Sequence, residues 1–253
     1  REEIGNELFI DGGVYSNIPL FMARERGFKE VVAVDVMGLR IGDSLAYVNL
    51  FNEGMEVTLL EPSQQYGTVM TFDGEISVKY AICGYLDAMK TFGKLVGDRY
   101  FIFGDGDPLA DRFLCLDLVS RCEALALVGL EAVEKAPAEY HYYRQLIPWL
   151  ETVMGCELTS PSLTVMKILE VLAGFLGIDR LWPYTPGLIL EEVKRSWDPP
   201  LYIEERSIQF LTKYRKLLLL VAYVSEKSPY SGVESPDFTE FLEKFRRRLA
   251  LSK

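Results

Sequence analysis

"ELFIDGGVYSNIPLFMARERGFKEVVAVDV", residues 7–36, decides how the first part of this chain is read. ELFI at 7–10 is a short strand. Pro19 suits the first turn of a helix, where its missing N–H would have no partner anyway. Gly27 is placed to stop that helix. EVVAVDV at 30–36 is a nearly unbroken β-branched run, the pattern of a strand buried on both faces of a sheet. Strand, short helix and strand together predict a β-α-β unit with a right-handed crossover.

Working outward, EVTLLEP at 56–62 is the next strand. Asp73 is placed to cap a helix whose apolar stripe would be Val78, Ala81, Tyr85, Ala88, Phe92 and Leu95. RYFIF at 99–103 is one last short strand. Beyond GDGDP at 104–108 the pattern turns helical, with no further strand. Residues 109–135 are helical and almost apolar. Ser160-Pro161 opens another helix, with Val165, Ile168, Leu169, Leu172 and Leu176 on one side and Gly177 as its stop. A helix spans 203–225. Ser235-Pro236 opens the last, with Phe238, Phe241, Leu242, Phe245 and Leu249 facing inward. The expected architecture is an α/β portion over 1–104 followed by an all-helical region over 105–253.

The net charge of −10 argues against a nucleic-acid surface and leaves nucleic acid out of the expected partners. Cys83, Cys115, Cys122 and Cys156 form no CxxC pair, so reduced core thiols and a cytoplasmic location are expected, with no metal site. No apolar run reaches the ~18–20 residues of a spanning helix. The chain opens REEIGNELFIDGG without Met and with little lead-in, which reads as the tail portion of a longer protein.

Asp11-Gly12-Gly13 has two readings. Asp-Gly is a common turn, because Asp hydrogen-bonds within it and Gly accepts positive φ. A carboxylate on the loop leaving a parallel strand also lies where α/β proteins gather their ligands. Two glycines would keep that carboxylate approachable, and Asn17 can hold the loop through its side chain.

Other stretches invite weaker readings. GDSL at 42–45 offers Ser44 as an esterase nucleophile, but no Asp-x-x-His follows; a loop or helix cap is the simpler reading. GDGDPLAD at 104–111 lacks the Gly and Glu of a calcium loop and reads as a turn. His141, the single histidine, lacks partners for zinc. Asp35 ends a strand and can line the same cleft as Asp11 or serve structural hydrogen bonds. KFRRRLALSK closes the chain with cations on an amphipathic helix. They complement the helix C-terminus or offer a peripheral membrane contact.

The spacing of FIDGGVYSNIP, the following helix and EVVAVDV resembles the second catalytic block of patatin-like phospholipases. The similarity extends through LLEPSQQYGTVMTFD, ICGYLDAMKTFGKL and GDRYFIF to about residue 104 and is of the bacterial type. The resemblance implies the C-terminal part of a three-layer α/β catalytic domain that hydrolyses acyl esters of lipids with a Ser-Asp dyad and no cofactor. Asp11 matches the dyad base, and Gly12 and Gly13 match the glycines that shape the site. A carboxylate with a reference pKa of ~3.9 is a weak base and needs a partly dry pocket. The family's GxSxG nucleophile and glycine-rich oxyanion loop are not in this chain. Two explanations stand: a portion of a longer hydrolase, or a half-domain that works with a partner chain or as a scaffold. In either case the chain alone would be inactive, and a bare sheet edge beside ELFI would favour self-association.

Overall fold

The computed structural model describes residues 2–4, 7–9, 18–36, 54–68, 71–104, 116–130, 138–158, 161–197, 208–227 and 236–251. The described residues form a helix-rich mixed α/β structure with small sheets, two of them parallel. The chain packs as two units, Arg1–Phe92 and Gly93–Lys253.

In the first unit, strands β1 (Glu2–Ile4) and β2 (Glu7–Phe9) pair antiparallel. Helix α1 (Leu20–Glu25) starts after Pro19 and ends where Gly27 takes φ +81°. The Phe28 N–H returns to the Ala23 carbonyl at 3.2 Å, closing the last turn over that glycine. Strand β3 (Glu30–Val34) lies parallel to β4 (Glu56–Leu60), with Val32 opposite Thr58 and Val34 opposite Leu60. Leu20 of α1 packs with Ala33 and Met55, and Val31, Val57 and Leu59 pack around them. That covers one face of the β3–β4 pair. The other face of β3 is open: Val32, Val34 and Val36 are 53%, 57% and 79% exposed.

Two expectations for this unit need correction. The β-α-β unit was to pair ELFI with EVVAVDV. Among the described residues β2 pairs with β1 instead, a strand the sequence reading missed, and β3 takes β4 as its parallel partner. A three-residue strand joined to another by a two-residue connection satisfies its backbone locally. The predicted stripe on the second helix is also misplaced. Helix α2 (Gly74–Thr91) is capped by Asp73, whose Oδ1 accepts the Ile76 N–H at 2.9 Å. It buries Cys83, Leu86 and Asp87, whereas Ala81 and Phe92 are exposed. Apolar residues surround this helix on several sides, so the selected face is the one whose polar groups find partners.

The second unit begins with a tight reversal. Val96 and Ile102 exchange backbone hydrogen bonds of 2.8 and 3.0 Å. Strand β5 (Phe101–Ile102) then pairs parallel with β6 (Pro183–Tyr184). RYFIF is therefore a strand of the helical unit, and the expectation of no strand beyond GDGDP fails at β6. Around this pair stand α3 (Leu118–Val128), α4 (Ala138–Met154), α5 (Pro161–Leu176), α6 (Pro186–Ser196), α7 (Ile208–Lys227) and α8 (Pro236–Leu251). Val165, Ile168, Leu169 and Leu172 of α5 are buried as expected, and Gly177 ends that helix at φ +71°. Phe238, Phe241, Leu242 and Phe245 of α8 are buried too. Phe103 meets Phe238 and Phe241, and Trp182 meets Phe245 edge-on. No described helix is long and apolar enough to cross a membrane.

The reversal at 96–102 is held by a buried acid. Glu170 of α5, 2% exposed, accepts the N–H groups of Asp98, Arg99 and Tyr100 at 3.0, 2.9 and 2.8 Å. Gly97, at φ +102°, makes this approach possible. A Cβ there would stand 2.6 Å from Glu170 Oε1 and 2.7 Å from the Tyr100 carbonyl oxygen.

Candidate functional site

The described part of the first unit holds a cavity of about 550 Å³. It lies at the carboxyl ends of β3 and β4, where Val34, Asp35 and Val36 meet Leu60, Glu61 and Pro62. Parallel strands carry their side chains to this end and then hand over to loops, so ligand sites of α/β proteins collect there. Tyr80, Cys83, Gly84 and Asp87 of α2 form the opposing wall. Positions 80, 83, 84 and 87 share a helix face because they are three and four residues apart.

Two side chains of α2 fix the loop after β4. The Tyr80 hydroxyl accepts the N–H groups of Tyr66 and Gly67 at 3.0 and 2.9 Å and donates to the Gly67 carbonyl at 2.9 Å. Tyr66 also packs edge-on against the Tyr80 ring, at 5.5 Å between centroids. Seven residues further along α2, Asp87 Oδ2 accepts the Ser63 N–H at 2.9 Å and the Cys83 thiol at 3.3 Å. The loop is thus tied down at 63 and again at 66–67, so its residues form a firm wall.

Cys83 is 1% exposed. Burial pushes its thiol pKa up, a hydrogen bond with Ser63 pulls the other way, and the Asp87 charge adds to the rise. The sulfur therefore stays protonated and donates to Asp87, which makes it a structural donor and a poor nucleophile. Ser63 Oγ lies 3.5 Å from the same sulfur.

Asp11, Gly12, Gly13 and Asn17 lie outside the described residues, as does Ser44. Asp35 is described and lines the cavity at the end of β3. His141 falls within α4, and its side chain lies outside the described set. Cys83, Cys122 and Cys156 are free thiols. Among the described residues no group of His, Cys, Asp and Glu could hold a metal ion. Along α8, Lys244 pairs with Glu240, Arg247 pairs with Glu243, and Arg246 lies over Trp182. Tyr80 and Asp87 were missed in the sequence. Their only signal was the spacing of polar groups along α2.

Compared with protein-family models, curated proteins and solved structures, the chain matches none.

Proposed function

We propose that this chain is the C-terminal part of a patatin-like lipid acyl hydrolase followed by a helical region. The block Asp11-Gly12-Gly13, Asn17, Pro19, helix, Gly27 and β3 carries the reading. The helix start after Pro19, its stop at Gly27 and the parallel strand that follows agree with the motif's spacing and support it. So does a cavity at the carboxyl ends of β3 and β4, with Asp35 in its wall.

In this reading Asp11 takes the proton from a serine as that hydroxyl attacks the ester carbonyl, while Gly12 and Gly13 keep the carboxylate open to its partner. The hydroxyl comes from an upstream part of the same protein or from a partner chain. The substrate is a lipid or other acyl ester, and the setting is cytoplasmic or peripheral at a membrane through the basic end of α8. The test compares this chain with the longer protein on a p-nitrophenyl acyl ester. The chain alone should be inactive and the longer protein active, and Asp11→Asn should remove most of that activity. Unchanged turnover in the variant would refute the dyad.

A second reading has its own support. The open face of Val32, Val34 and Val36 on a parallel strand suits an interaction or scaffold module without catalysis. A longer protein that binds partners but never hydrolyses an ester would select it.

A further inference from the structure

We propose that the cavity between β3, β4 and α2 binds an aliphatic chain that ends in a hydrogen-bond donor, a hydroxyl or an ammonium group. The donor is received by Asp87 Oδ1. Asp87 is 7% exposed, yet it stands in the cavity wall. Both of its hydrogen bonds, from the Ser63 N–H and the Cys83 thiol, end on Oδ2. That leaves Oδ1 with no partner among the described residues. Oδ1 is not sealed off among the described residues, so it can be reached from the cavity that Asp87 lines. A ligand donor that replaces water there pairs with a carboxylate largely shielded from bulk solvent.

The rest of the wall sets the ligand's other end. Val34, Val36, Leu60 and Pro62 give it apolar surface, and Val32 continues the same exposed row along β3. Successive valines on one strand face are about 6.6 Å apart, so the row suits an extended hydrocarbon. No lysine, arginine or histidine stands among the described lining residues. Asp35 and Glu61 also stand in the wall but are more exposed, so Asp87 is the wall carboxylate most shielded from water. An anionic head group placed here would face the Asp87 carboxylate with no cation in the described wall.

Binding needs no hydrolysis, so the inference survives even if Asp11 proves to have no catalytic role. The test titrates the whole chain at pH 7 with 1-octanol, octylammonium and octanoate, followed by calorimetry. Octanol and octylammonium should bind, and octanoate at least tenfold more weakly. Asp87→Asn should weaken octylammonium at least tenfold. Gly84→Leu guards against a variant that fails to fold. A Cβ at Gly84 meets nothing within 4 Å, and leucine favours the helix more than glycine does. Its side chain should fill the cavity mouth and remove binding without lowering the melting temperature. Octanoate binding as tightly as octylammonium would overturn the proposal. So would unchanged binding in Gly84→Leu, or no binding of octanol and octylammonium to the unmodified chain.

Discussion

Each unit buries a carboxylate, and the two are used in opposite ways. In the second unit both oxygens of Glu170 are taken, Oε2 by Asp98 and Oε1 by Arg99 and Tyr100. It sits beside one apolar cluster that runs from Tyr100 through α3, α4, α5, α6 and α7. In the first unit Asp87 spends one oxygen on the fold and turns the other to a cavity. Among the described residues, the apolar cluster under α1 there has three buried members, Leu20, Ala33 and Met55. A saturated buried acid in a deep core serves architecture. A half-saturated one in the wall of a cavity is available for recognition.

The largest test of this contrast is Glu170→Ala. It strands three N–H groups, at least one of them buried, and should cost about 3 kcal/mol or more. Denaturant unfolding should show the loss in the second unit, while amide exchange in β3 and β4 stays as it was. Equal loosening of both units would break the distinction.

Next comes alkaline pH. Burial raises the Tyr100 pKa from 10.0 to about 12; Arg180 opposes the shift and Glu170 adds to it. Its hydroxyl donates to the Ile178 carbonyl at 3.0 Å, a bond that only the neutral form can make. A raised phenol pKa favours the folded state below pH 10. Above that the unfolded chain releases a proton the folded one keeps, so stability falls as pH rises through 10 to 12. At 1.36 kcal/mol per unit, the full effect is about 2–3 kcal/mol. Burial also raises Tyr184, so Tyr100→Phe should make the fall shallower in that window without removing it, and an unchanged slope would assign it to other groups.

The smallest effect belongs to the first unit. Asp73→Ala removes the N-cap of α2 and should cost ~1 kcal/mol. It should raise amide exchange at Ile76 and Ser77 and leave the Glu170 reversal untouched.

Local chemistry made much of the fold readable. Pro19 and Gly27 bracket α1, Asp73 caps α2, and the stripes of α5 and α8 are regular enough to name the buried residues. What escaped depends on distant partners. β6 is only two residues long and becomes a strand only because β5 lies beside it. Glu170 reads as a polar residue in an apolar helix, since the N–H groups that justify it are 70 to 72 residues away. Asp35, at the end of a β-branched strand, was open to both a cleft role and structural hydrogen bonding, and it lines the cavity while also holding an interaction. Tyr80 and Asp87 were not legible, because their value lies in the loop they hold. Asp11, Gly12 and Gly13 rest on their place after a strand and on resemblance, Asn17 on its side-chain chemistry, and all four lie outside the described residues.

The Glu170 clamp also bears on how the chain is made. Ribosomal synthesis delivers residues 96–102 well before position 170, and chains fold as their parts emerge. Until α5 arrives, the N–H groups at 98–100 must be hydrated, and Gly97 leaves that stretch many conformations to wander through. The helical unit can therefore set its entry point only after α5 has been made, once roughly half of the residues from Gly93 to Lys253 have been added.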